Sequence, residues 1–531
     1  MTSYCSPTFL GIFLPAVMIV YNIVPQKHRG KALLVGSYVF YALFSGKLVV
    51  FLLISTFSIH HFGLWLAQLS QESRKVCAAL AGEEKKEKKG WYKKRMLRVA
   101  VMGVLLQFAV LITLKYTPFF GGNLNMLLAK LGVSFQFVLP KFVLPLGISF
   151  YTMQAASYLL DIYHGKLKAD ENLGRVALYM SFFPQIMEGS ICRYNDTARQ
   201  LWAGNRITYE NLTFGAQRIL YGVMKEVVVV WRLNMLVEEV FSNYARYDGG
   251  VIAIASVCFT IQLYMDFSGT MDIVIGVGEI FGICMPENFR QPFFARSISD
   301  FWARWHISLG TWFRDYIFYP VSMARPMKKL TLSARKKIGN HFGPLIAGSA
   351  ALFLVWSCNG LWHGAAWSYL FFGMYHFGLI LLGNLFEPAA QRIADTLGVD
   401  RQQGKGYRVF AILGTVFLVN IGELFFRAPG LRAGLTMFGK MLTDFTITSV
   451  ADGKVFTLGT GRPDFLMAGI VVVIVFTVSV LKERGVRVRR AVSQWPLAPR
   501  WALWLGLIMF VIIFGAYGAG YEPIDPMYAN F

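Results

Sequence analysis

Of eight histidines, His28, His60, His61, His164, His306, His341, His363 and His376, two stand where an imidazole could act on a substrate. His363 lies in Asn359-Gly360-Leu361-Trp362-His363-Gly364, between two long apolar runs with no charge nearby. His306 closes the stretch Asp300-Phe301-Trp302-Ala303-Arg304-Trp305-His306. Most of the others fall near basic loops or the ends of apolar runs, where a solvated or interfacial role is expected. An imidazole with an ordinary pKa of about 6.5 can accept a proton at neutral pH without first losing a charge, which suits general-base work. An ionisable group at membrane depth is costly unless it faces an internal cavity, so such a histidine is a functional candidate. The plainer reading is an interfacial histidine hydrogen-bonded to backbone beside tryptophans. Neither Trp362-His363-Gly364 nor Trp305-His306-Ile307 holds a Ser or Cys, so a covalent intermediate is not indicated.

The elements that must position these residues are apolar helices. The chain has 531 residues, of which 55% are hydrophobic and only 15% charged, with a mean hydropathy of +0.47. That composition belongs to an all-α polytopic membrane protein. Apolar stretches long enough, or nearly so, to cross ~30 Å of hydrocarbon run at 7–24, 32–43, 48–66, 99–114, 137–160, 212–233, 252–267, 345–361, 366–386, 409–426, 465–481 and 501–517. About twelve crossings are expected, with re-entrant or interfacial helices around an internal cavity. Phe301, Trp302, Trp305, Leu309, Trp312, Phe313 and Tyr316 recur at spacings of one, three or four, and Arg304, Ser308, Thr311 and Asp315 fall between them. That pattern predicts one amphipathic helix at an interface or in a re-entrant loop.

Charge sets the orientation. Lys+Arg 52 against Asp+Glu 30 leaves +22, and the basic residues sit between apolar runs, as the positive-inside rule asks and nucleic-acid binding does not. The cluster Lys85–Arg98 belongs in the cytoplasm, as do Lys27, Arg29 and Lys31, and also Lys482–Arg490. Counting from these places both termini outside. The basic run Arg325–Lys337 reads as a cytoplasmic loop, with attraction of phosphate a secondary reading. Asp266, Ser268 and Asp272 could be imagined as a cation site, but helix capping or interhelical hydrogen bonding is the simpler account. No metal ligand set is assigned, and six scattered cysteines without a C-x-x-C pair form no disulfide framework.

Several patches together carry a resemblance. They are Leu144-Pro145-Leu146-Gly147-Ile148-Ser149-Phe150-Tyr151, Asp161-Ile162-Tyr163, Phe182-Phe183-Pro184-Gln185, Met265-Asp266-Phe267-Ser268-Gly269, 301–309 with 312–316, Gly360-Leu361-Trp362-His363-Gly364 and Phe425-Phe426-Arg427-Ala428. In this order the chain closely resembles the membrane-bound O-acyltransferases (MBOAT), and in particular the branch that acetylates bacterial alginate. One departure is plain: Glu188-Gly189-Ser190 stands where that family usually has Ala-Gly-Pro.

The resemblance implies a single membrane-embedded acyltransferase domain over 1–531, with a signature core at about 137–428 and further spans at about 464–520. It implies a multi-pass enzyme of the bacterial cytoplasmic membrane that moves an acetyl group onto hydroxyls of an exported or cell-surface polysaccharide. His363 matches the family's catalytic histidine and His306 its second signature position. Trp305, Asp315, Asn359 and Trp362 are expected substrate-binding residues, as are Arg304 and Arg314, which either hold the donor's phosphates or anchor their helix at lipid headgroups. No covalently bound cofactor is expected, and the donor is acetyl-CoA or another acyl thioester from the cytoplasm. The lipid bilayer and an extracytoplasmic acetyltransferase or export-complex partner complete the implied associations.

Three alternatives stand beside this reading. D-alanyl transfer to teichoic acid is the nearest within the class. A transporter would need repeat symmetry and charges in several spans, neither of which is evident. A non-catalytic scaffold for polysaccharide export would make both histidines dispensable. The charge count also places the turn after His363 outside and the basic run after His306 inside. In a cysteine-free background, Ala365→Cys is expected to react with an impermeant thiol reagent on intact cells, and Ser333→Cys only after permeabilisation. The reverse labelling pattern would reject that topology.

Overall fold

The computed structural model describes residues 3–401 and 404–517, and these are helical almost throughout. Among the described residues, the one β-type pairing outside helices is an isolated bridge between Phe289 and Trp305. By length and composition, eight stretches could cross a membrane, among them Gln26–Ala78, which holds two helices. Phe9–Ile23 is apolar but shorter. The expected limit of the final span at about residue 520, and the C-terminus itself, lie outside the described residues.

The chain divides into two compact units. The first comprises the residues up to Ala216 together with Val274–Pro286. It begins with α1 (Leu14–Ile23), α2 (Gln26–Ser45), α3 (Val49–Ala78) and α4 (Gly82–Leu111). Tyr4, Phe9, Phe13, Phe40 and Phe183 form its aromatic core, with neighbouring ring centroids 5.1–6.2 Å apart. The Tyr4 hydroxyl donates to the Phe183 carbonyl at 2.7 Å. Between α3 and α4, Ser55 donates to Gln107 and Gln107 to Ser58, an interhelical polar clamp of the kind that apolar surroundings favour.

Two expected crossings take another form here and in the second unit. Of 137–160, only α5 (Ile148–Tyr163) is helical, and it is buried along nearly its whole length. Pro140 and Pro145 disfavour helix before it. Gly147, at φ 66°, makes the turn where any Cβ would strike the Ile186 carbonyl. Segment 212–233 lies in α6 (Tyr209–Met224), a π-helical run Lys225–Val230 and α7 (Trp231–Ser242). Its buried Lys225 and Arg232 require protein partners rather than lipid.

Among the described residues, the second unit comprises Gln217–Ile273 and 287–517. Lys225 donates to Asp272 at 2.7 Å and to Ser268 at 3.0 Å, and Arg218 binds both Asp272 and Glu287. Asp272 is therefore neutralised by two cations, the interhelical pairing reading rather than a cation site. It lies on α8 (Gly249–Ile280), on which Ser256 and Thr260 also bond Asn420 and Glu423.

The aromatic stripe is not one helix. It breaks into α9 (Ile298–Arg304) and α10 (Ile307–Phe313), with His306 between them at φ 46° and ψ 52°. Nor is Arg325–Lys337 a loop: it forms the first turns of α11 (Arg325–His363), which is interrupted at Gly339, φ 86°. α12 (Trp367–Thr396) returns against α11, and α13 (Lys405–Arg427) follows. The α11–α12 crossing is close because it is made at glycines: a Cβ at Gly360 would lie 2.5 Å from the Tyr369 carbonyl oxygen, and one at Gly373 would strike the Trp356 carbonyl. Gly373→Ala is expected to push the two helices apart at a cost of about 1–3 kcal/mol, read as a lower midpoint of thermal unfolding in detergent. An unchanged midpoint would contradict the close crossing.

Candidate active site

His306 owes its position to a helix start. The first N–H groups of a helix have no partner within it, and in α10 Asn288 supplies two acceptors. The Ile307 N–H donates to the Asn288 carbonyl and the Ser308 N–H to its side-chain oxygen, each at 3.0 Å. Asn288 is fully buried, and its amide nitrogen lies 2.9 Å from the Met271 sulfur. The chain therefore reverses at His306 in the left-handed region, which histidine enters more readily than most residues but not freely. The turn carries the imidazole inward, where 2% of the residue remains exposed.

His363 arrives from the other direction, as the last residue of α11, and is buried to 4% exposure. Its ring packs edge-on against Phe372 of α12 and Phe426 of α13, centroids 5.8 and 5.1 Å away. Trp362 joins the two histidines. Its ring centroid lies 5.6 Å from His306 and 5.1 Å from His363, while Phe267 closes the far side of His306 at 4.6 Å. Two imidazoles far apart in sequence thus share one aromatic enclosure. Asn359, one turn before His363, is buried, and its side-chain oxygen accepts no hydrogen bond from any described residue.

The other expected binding residues are placed differently. Trp305 points away from the two histidines into a cluster with Phe289, Phe293, Phe301 and Tyr264, at 5.1–6.4 Å, which adjoins His306 through Phe267, 5.0 Å from Phe289. Arg304 pairs with Asp300 at 2.8 Å and with Glu483 at 3.0 Å, tying α9 to α14 (Arg462–Glu483). Its charge is already matched within the protein. Arg314 is half exposed and pairs with its neighbour Asp315 at 3.2 Å. Of the eight candidates, His306, Trp362 and His363 are joined by direct ring contacts, and Asn359 shares the end of α11 with the last two.

Sequence reasoning missed Asn288, whose signal is only an Asn after Pro286-Glu287. It also set His376 among the solvated or interfacial histidines, whereas that residue is completely buried. Its place on α12, nine residues after Trp367, marks it as a span residue and could have given this away. Phe267 and Phe426 lie within motif patches, but their contact with the two histidines is visible only in three dimensions.

The model of the membrane-bound O-acyltransferase family (MBOAT) matches residues 167–334. A probable alginate O-acetylase, AlgI, of Pseudomonas syringae pv. tomato is 32% identical over 443 residues, 83% of this chain and 75% of that protein. A peptidoglycan O-acetyltransferase of Helicobacter pylori is 26% identical over 468 residues, 82% of this chain and 79% of that protein. A teichoic acid D-alanyltransferase of Bacillus subtilis is 31% identical over 247 residues, 46% of this chain and 59% of that protein.

The two supports of the His306 turn are expected to separate in a stability test. Asn288→Ala strands the Ser308 N–H in the interior and should cost about 1–3 kcal/mol. His306→Gly relieves the left-handed backbone and should leave the unfolding midpoint equal or higher while removing the side chain. A destabilised glycine variant would mean that ring packing, not backbone conformation, governs the turn.

Proposed function

Because this chain belongs to the membrane-bound O-acyltransferase family and is a multi-pass membrane O-acyltransferase, we propose that it transfers an acetyl group from a cytoplasmic thioester to hydroxyls of an exported polysaccharide. The observation that carries this reading is the shared aromatic enclosure of His306, Trp362 and His363. A sugar hydroxyl is a weak nucleophile in need of a base, and a thioester carbonyl develops negative charge as it is attacked.

In the reaction, the His363 imidazole takes the hydroxyl proton as the oxygen attacks the thioester carbonyl. The tetrahedral intermediate collapses with loss of the C–S bond, and the imidazolium returns the proton to the departing thiolate. An ester and a free thiol result, and the histidine is regenerated. His306 acts from the other side of Trp362 by hydrogen-bonding the developing oxyanion, a role that asks for an N–H and not for a full proton transfer. Asn359 offers its side-chain oxygen to a hydroxyl of the acceptor. No Ser or Cys adjoins either histidine in sequence, which favours direct transfer over an acyl-enzyme. Arg304, held by two carboxylates, serves as a structural tie rather than a phosphate clamp.

The donor is acetyl-CoA or a comparable acyl thioester, and the bacterial cytoplasmic membrane is the setting, with both termini outside. An extracytoplasmic acetyltransferase or export complex would take the product onward. Acetyl transfer is preferred to D-alanyl transfer because the similarity to the alginate and peptidoglycan O-acetylating proteins extends over more than four fifths of this chain, against under half for the D-alanyltransferase.

His363→Ala is expected to leave a membrane-inserted protein while removing a step that contributes roughly 10²–10⁴-fold. The O-acetyl ester content of polymer from cells with only this variant should fall below detection. Normal acetylation by such cells would refute the assignment of His363, and D-alanyl esters in place of acetyl esters on the wild-type product would move the enzyme to the other branch.

A further inference from the structure

His376 is completely buried, and the acyl-transfer scheme above gives it no task. It stands on α12 one turn after Phe372, and Phe372 packs on both His376, at 4.7 Å, and His363, at 5.8 Å. Its own ring stacks on Trp356 of α11 at 5.5 Å and 28°, and meets Trp302 of α9 edge-on at 4.9 Å. Trp302 in turn lies 4.9 Å from Trp356, so α9, α11 and α12 meet in one triangle of rings.

Within that triangle there is one specific polar contact: the Trp302 indole N–H donates to His376 Nδ1 at 3.2 Å. An indole nitrogen can only donate, so Nδ1 must present its lone pair and the ring proton sits on Nε2. Nε2 is turned toward α13, where a Cβ on Gly422 would lie 2.6 Å away, and it makes no hydrogen bond with any described residue. One nitrogen is therefore committed to Trp302 and the other faces a helix backbone. Such a ring has no route for a proton, but it is well held. An apolar ring would fill the same space without burying an extra polar nitrogen. What the histidine adds is an acceptor for the partly buried indole N–H.

We propose that His376 is a positioning residue: by accepting the Trp302 N–H it fixes α9, and with it the turn that carries His306, against the helices that carry His363. The inference rests on the acyl-transfer reading of those two histidines. Trp302 precedes His306 by four residues, and Trp356 precedes His363 by seven, two helical turns on the same face. A small rotation of α9 about the lost contact would change the separation of the two imidazoles, and misplacement by about 1 Å can cost on the order of 100-fold in rate.

The test compares His376→Phe, His376→Asn, Trp302→Phe and the double variant His376→Phe/Trp302→Phe in membranes supplied with acetyl-CoA at varied concentration. Initial rates of ester formation on the polymer are measured across pH, and detergent-solubilised protein is checked for a single folded species. Expected for His376→Phe is a fall in kcat of about 10- to 100-fold, with KM for the donor within twofold and the shape of the pH profile unchanged. His376→Asn, whose side-chain oxygen can occupy the place of Nδ1, should recover most of the rate. The double variant should be no slower than His376→Phe alone, because the stranded N–H is gone. Full kcat in folded His376→Phe would overturn the proposal. So would a folded His376→Asn as slow as His376→Phe, or a shifted pH profile, either of which would make the imidazole itself a proton carrier. His363→Ala, run in parallel, reports on the acyl-transfer reading separately: its activity can fail that reading without altering the ratios among the His376 variants.

Discussion

A charged group removed from water inside an apolar protein is costly unless another group of the same protein answers it, and pairings of that kind organise this structure. Asp272 is answered by Lys225 and Arg218, Glu423 by Thr260, and Arg232 by Asp464. Each of these pairs spans two helices and lies far apart in sequence, so meeting the requirement also specifies which helices become neighbours. Buried pairs of this kind add little net stability, since desolvation offsets much of their attraction, but breaking one leaves an uncompensated charge. Their structural effect is to penalise every alternative packing.

The same rule shapes the surroundings of His306 and His363. The α10 N–H groups beside His306 must be satisfied, and Asn288 satisfies them from a neighbouring segment. The price is a left-handed backbone at His306, and the return is a side chain directed inward rather than along a helix surface. On the opposite side the glycines at the α11–α12 crossing let backbones approach, which brings Phe372 up to the end of α11 where His363 sits. A strained turn and a close crossing thus converge on one aromatic enclosure. Such an enclosure holds both imidazoles away from bulk water, which strengthens each hydrogen bond made there.

Much of this was legible in the sequence. Hydropathy pointed to the class, because 55% hydrophobic against 15% charged residues departs far from the balance of soluble chains and the apolar residues recur in span-length runs. The two histidines were legible as candidates, since an ionisable residue beside a tryptophan in an apolar chain stands out locally, and the surrounding patches carried the family. Most helices were legible as well: an apolar run long enough to cross the bilayer must satisfy its own backbone, and a helix does so within the segment.

What lay beyond the sequence are the features set by contacts between distant segments. The aromatic spacing of 301–316 is equally compatible with one helix and with two, and only Asn288 decides for two. Apolar length alone makes 212–233 a crossing, whereas its buried cations and their partners make it an interior element. Arg304 and Trp305 read as substrate contacts because they lie in the signature stretch around His306, whereas in space Arg304 meets Glu483 and Trp305 meets Phe289. His376 reads as an ordinary histidine on a span until Trp302 is found beside it. Periodicity and residue type report what a segment does against a uniform medium, so they determine class, helices and candidates. Which side chains meet depends on the partners of each buried polar group, and those are supplied by residues tens or hundreds of positions away.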